Sequence, residues 1–91
     1  MKKYMIERDL PGVGGMSTEE LGGATTQSNA ALAQLDGTVQ WQHSYVAGDK
    51  TFCVYLAQDE DAIRKHAELS GFPATVITEI STMIDPTTGQ C

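Results

Sequence analysis

Apolar residues cluster at Tyr4-Met5-Ile6 within the β-rich run Lys3–Arg8 (KYMIER), and at alternate positions Tyr4 and Ile6 share one side while Met5 and Glu7 share the other. This is the period of a β-strand. Asp9-Leu10-Pro11-Gly12 reads as a turn, and Pro11–Met16 as a glycine-rich loop. Ser17-Thr18-Glu19-Glu20 has the spacing of a capping box, in which the serine hydroxyl and the Glu20 carboxylate satisfy each other's backbone N–H groups. Leu21, Ala24, Ser28, Ala31, Leu32 and Leu35 then recur at helical spacing until Asp36-Gly37 ends the run. Gly22-Gly23 costs this helix about 1 kcal/mol per glycine relative to alanine. The pair either permits close packing on a strand or leaves that end of the helix loose, and the sequence does not choose.

Two further β-rich runs, Thr38–Val46 and Thr51–Ala57, are joined by the short connection Ala47-Gly48-Asp49-Lys50. Asp59 is placed to cap a second helix, with Glu60 and Asp61 in its first turn. Ala62, Ile63, His66, Ala67 and Leu69 form its apolar stripe, and Gly71 stands where a terminating glycine is expected. Ala74–Ile84 reads as the last strand and Asp85–Cys91 as a polar tail.

The order strand, helix, strand, strand, helix, strand predicts one α+β domain over residues 1–91. Its plan is ferredoxin-like βαββαβ, an antiparallel sheet with both helices on one face, because each strand–helix–strand crossover is right-handed. The expected assembly is of the dimeric α/β-barrel type. The second sheet face is then solvated, a cavity wall or covered by another copy, and a homodimer is the expectation.

Alternation assigns side chains to faces. Phe52, Val54 and Leu56 form a wholly apolar set and are expected towards the helices, which sends Cys53 and Tyr55 to the open face. Tyr4 and Ile6 are expected inward and Glu7 outward. Thr38–Val46 is ambiguous: Val39, Trp41, His43 and Tyr45 share one side, Gln40, Gln42, Ser44 and Val46 the other, and a bulge would switch them midway.

Charge narrows the partners. Six basic residues against twelve acidic ones leave a net charge of −6, and the cations are scattered. No stripe exists to neutralise phosphates, which argues against nucleic acid and against an anionic membrane surface. No run approaches the roughly 18 apolar residues of a membrane span. Glu7, Arg8 and Asp9 interrupt the amino-terminal stretch before a signal-peptide core could form. Two cysteines without a framework, Cys53 in a strand and Cys91 in the tail, fit a reducing cytoplasm.

With the Trp41/His43/Tyr45 side outward, the open face collects Glu7, His43, Cys53 and Tyr55. Imidazole and thiolate suit a divalent transition metal such as nickel, and His66 on the second helix is a further candidate ligand. No HxxH or CxxC spacing ties two ligands together. Read structurally, His66 is a hydrogen-bonded core histidine, Cys53 a small buried hydrophobe, and Trp41, Tyr45 and Tyr55 interface aromatics. Gly12-Val13-Gly14-Gly15 lacks the spacing and context of a phosphate-binding loop.

Tyr4–Gly12 (YMIERDLPG), Trp41–Ala57 (WQHSYVAGDKTFCVYLA), Ile63–Ala74 (IRKHAELSGFPA) and Ile84–Thr88 (IDPTT) resemble a family of small bacterial proteins that includes an actinobacterial nickel-binding protein. The resemblance implies a ferredoxin-like subunit, a dimer and nickel binding in some members, and it supplies no ligand list. Metal binding through His43, His66, Cys53 and Glu7 is therefore the leading expectation. The alternative is a cofactor-independent enzyme of monooxygenase or isomerase type, by analogy of fold. It would enclose a small-molecule substrate between sheet and helices, with His66 or His43 as base and Tyr55 or Arg8 as orienting group. A purely structural interaction module is the third.

Overall fold

The computed structural model describes residues 1–89, so Cys91 lies outside the described residues. The elements follow the expected order: β1 (Lys2–Asp9), α1 (Thr18–Ala33), β2 (Val39–Ala47), β3 (Lys50–Ala57), α2 (Glu60–Ser70) and β4 (Val76–Ile80). Short 3-10 turns stand at Val13–Gly15 and Pro86–Gly89. The sheet order is β2-β3-β1-β4, with every neighbouring pair antiparallel. Each helix links two parallel strands across an intervening one, and both lie on the same sheet face. This is the ferredoxin-like plan.

Local chemistry sets the element boundaries. The Ser17 hydroxyl accepts the Glu20 N–H and the Glu20 carboxylate accepts the Ser17 N–H, each at 3.1 Å, so the capping box is complete. Asp59 accepts the Ala62 N–H at 2.9 Å to start α2, and Gly71 closes that helix in the left-handed conformation at φ 78°. Gly14 fastens the loop after β1 to the β2–β3 turn. Its N–H donates to the Gly48 carbonyl at 2.7 Å, and a Cβ there would stand 2.6 Å from that oxygen. The last strand is shorter than the run Ala74–Ile84 suggests, because Met83 and Ile84 are exposed and beyond its pairing with β1.

The inner face of the sheet reverses one expectation. Tyr4 pairs with Tyr55 and Ile6 with Cys53, and directly paired residues share a face. With Tyr4 and Ile6 inward, Cys53 and Tyr55 go inward too, joining Val39, Ala57, Leu35 and Ile63 in the core. Phe52 and Leu56 therefore lie on the outer face, along with Val54, Met5 and Glu7. A pairing register cannot be read from either strand alone, and a shift of one residue inverts every side chain.

On β2 the faces do switch. The register slips between Trp41 and His43, leaving Gln42 as the bulged residue. Val39 and Trp41 look inward, His43 and Tyr45 look outward, and Ser44 and Val46 return to the inner face opposite Cys53 and Thr51. The Trp41 indole N–H donates to the Ser44 hydroxyl at 2.9 Å, which ties the two sides of the bulge together.

Candidate functional site

The bulge and the amino-terminal half of α1 leave a cavity of about 200 Å³ between helix and sheet. Its floor is the inner face: Arg8 from β1, Trp41, Ser44 and Val46 from β2, and Thr51, Cys53 and Tyr55 from β3. Leu21, Ala24, Thr25 and Ser28 of α1 form the roof. Leu10, Val13 and Phe72 close the sides from two loops. Most of this wall is apolar, and at one end Arg8, Tyr55 and Ser28 stand together.

Arg8 is 3 % exposed, at an inward position that alternation with Tyr4 and Ile6 would give to a hydrophobe. One guanidinium nitrogen donates to the carbonyls of Phe72 at 3.3 Å and Pro73 at 3.0 Å, and the other to the Tyr55 hydroxyl at 3.4 Å. The cation also stands 5.8 Å from the Tyr55 ring centroid. These acceptors are neutral. The carboxylates near the other cations serve Lys2, Lys50 and Arg64, and among the described residues none forms an ion pair with Arg8. Burial pushes the Tyr55 phenol up, with the Arg8 charge pulling the other way, so Tyr55 is protonated at neutral pH.

Behind this end lies His66, wholly buried on α2. Its Nε2 is 3.2 Å from the Ser28 hydroxyl, and its ring is 5.3 Å from that of Tyr55. Its Nδ1 is buried with no partner. Burial first, and the Arg8 charge second, lower the imidazole below its ordinary range, while hydrogen bonding at Ser28 opposes them. The result is a neutral imidazole against a hydroxyl that lines the cavity. The third member that orients the base in a hydrolytic triad is absent among the described residues, since Nδ1 has no acceptor. Ser28 is the residue the sequence reading passed over, and its signal was present: a lone hydroxyl in an otherwise apolar helical stripe.

The four expected metal ligands do not come together. Cys53 and His66 belong to the inner side. Cys53 donates to the Thr51 hydroxyl across 3.6 Å, and His66 is engaged by Ser28. His43 and Glu7 belong to the outer face on different strands, with β3 between them. Glu7 is paired with Lys50 at 3.7 Å, and the His43 ring meets the Tyr45 ring edge-on at 5.3 Å. Among the described residues no three His, Cys, Asp or Glu side chains are placed to hold a metal ion. The expected enzyme residues fare differently: Arg8 and Tyr55 line the cavity's polar end, His66 stands behind it against Ser28 and Tyr55, and His43 is outside the lining.

Fold and site define a small two-layer α+β domain with a pocket under its first helix. No helix among the described residues is long and apolar enough to cross a membrane. Residues 4–80 match the family described as nickel responsive protein SCO4226-like, and the chain belongs to that family. Among solved structures it is similar to SCO4226 from Streptomyces coelicolor A3(2), with a TM-score of 0.73 over 90 % of this chain and 99 % of that one. At 19 % identity this likeness speaks for the fold. No curated protein matches the chain.

Proposed function

We propose that this protein binds a divalent transition ion, nickel foremost, through His43 at a site shared between two copies of the chain. The reading is carried by one observation: in a member of a nickel-responsive family, the exposed imidazole stands on the uncovered sheet face. An imidazole is a good nickel ligand, and two facing subunits would each bring one to a shared ion. Glu7, on the same face and close enough to Lys50 for an exposed ion pair, is the second donor available there. His66 and Cys53 are left to the inner side. Calorimetry of tag-free protein with Ni²⁺, Zn²⁺ and Co²⁺ tests the proposal. Uptake of one nickel ion per two chains, lost in His43→Ala and kept in His66→Ala, is expected. No uptake by the wild type, or uptake indifferent to His43→Ala, overturns it.

The cavity favours a second reading, a cofactor-independent enzyme acting on a small molecule. A neutral His66 hydrogen-bonded to Ser28 is fit to take a proton, and protonated Tyr55 with Arg8 is fit to hold an oxygen of the substrate. This chemistry is separate from the outer face. Ser28→Ala and His66→Gln would both abolish turnover under this reading, whereas His43→Ala would leave it intact.

A further inference from the structure

We infer that the pocket between α1 and the sheet binds a small monocarboxylate, its carboxylate on Arg8 and its apolar body against Trp41 and Val46. The inference needs ligand binding only, so it stands or falls apart from both the nickel and the catalytic readings.

Among the described residues Arg8 is a buried charge without a counter-charge. A guanidinium does not deprotonate to escape burial, and a desolvated cation costs several kcal/mol unless it is compensated. In a chain of net charge −6 the acids are elsewhere: Lys50 holds Glu7 and Asp9, Arg64 holds Glu60, and Lys2 holds Glu79. Arg8 has two backbone carbonyls and a phenol, which solvate the cation without neutralising it. It lines the cavity, so an anion inside would meet it in a site of low dielectric where the pairing is strong.

The walls decide what kind of anion. One buried cation matches one negative charge, and the planar guanidinium matches a carboxylate. Beyond the polar end, Leu21, Ala24, Val13, Trp41 and Val46 present hydrocarbon, which a phosphate or sulfate would leave unused. A volume of about 200 Å³ admits a short aliphatic or single-ring acid. The Tyr55 hydroxyl is a further donor to the same oxygens.

Trp41 is the sole tryptophan and lines the cavity, so its emission reports occupancy. Hexanoate and benzoate, titrated into the wild-type protein, should change it saturably, with calorimetry giving the same affinity. Hexanamide, uncharged but of the same shape, should bind at least roughly tenfold more weakly. Arg8→Gln should lose the preference for the acid. Ala24→Phe, which fills the roof without touching Arg8, should lose both ligands while keeping the wild-type circular dichroism, so the test survives if Arg8→Gln fails to fold. The inference is overturned if neither acid binds, if hexanamide equals hexanoate, if inorganic phosphate binds in preference, or if a folded Ala24→Phe binds hexanoate like the wild type.

Discussion

The buried imidazole makes stability depend on pH in a definite direction. Protonating His66 would place a charge in the core beside cationic Arg8 and make both ring nitrogens donors, with nothing to receive the proton on Nδ1. Its folded-state pKa lies below the ordinary value, so between the two values the unfolded chain binds more protons than the folded one. His66 therefore contributes full stability above the unfolded pKa of about 6.5, and this is lost as pH falls from there through the lowered folded value. Urea midpoints should drop between pH 7 and pH 5 in the wild type and change less in His66→Gln, whose amide does not titrate. Equal pH dependence in the two proteins would show that the imidazole is not desolvated. Sequence reading gave His66 two roles, core residue or functional group. Burial and the contact with Ser28 make it a hydrogen-bonded core histidine, set behind a hydroxyl that lines the cavity.

At the scale of elements, α1 carries a removable weakness. Cβ atoms built on Gly22 and Gly23 meet nothing within 4 Å, so neither glycine is there to let a strand approach. Both are exposed positions of a regular helix. Gly22→Ala and Gly23→Ala should each stabilise by roughly 0.5–1 kcal/mol, a rise in melting temperature of several degrees for a domain this size. Thermal denaturation followed by circular dichroism checks the gain, and an unchanged or lower midpoint would mean the helix is held open for another reason. The order and type of the elements were legible because their signals are local: the capping box at Ser17, the Asp59 cap, Gly71, and the turn between β2 and β3. What was not legible is set by pairing between distant residues. The faces of β3 depended on which residue of β1 meets Tyr55, and the most apolar set on that strand, Phe52, Val54 and Leu56, went outward. The bulge at Gln42 could be named as an option and not located. With the faces of β3 reversed, Cys53 parted from Glu7 and His43, and Tyr55 joined Arg8 and His66 on the inner side.

The whole molecule measures 44 × 31 × 19 Å, a slab of two layers in which the helices cover one sheet face. The other face carries Phe52, Leu56, Met5 and Val76, and Tyr45 stands 59 % exposed beside His43. A domain of 91 residues buries only roughly 60–65 % of the surface its unfolded chain exposes, so a second copy on this face would add apolar burial the subunit cannot provide alone. Sedimentation velocity of the wild type at micromolar concentration should give a dimer, and Tyr45→Glu, which brings like charges together across a two-fold interface, should give a monomer. A monomeric wild type would sink the pairing. The same variant separates the sites: nickel uptake that needs two facing subunits should disappear in the Tyr45→Glu monomer. Carboxylate binding under α1, on the opposite side of the sheet, should persist, because every wall of that cavity comes from one chain.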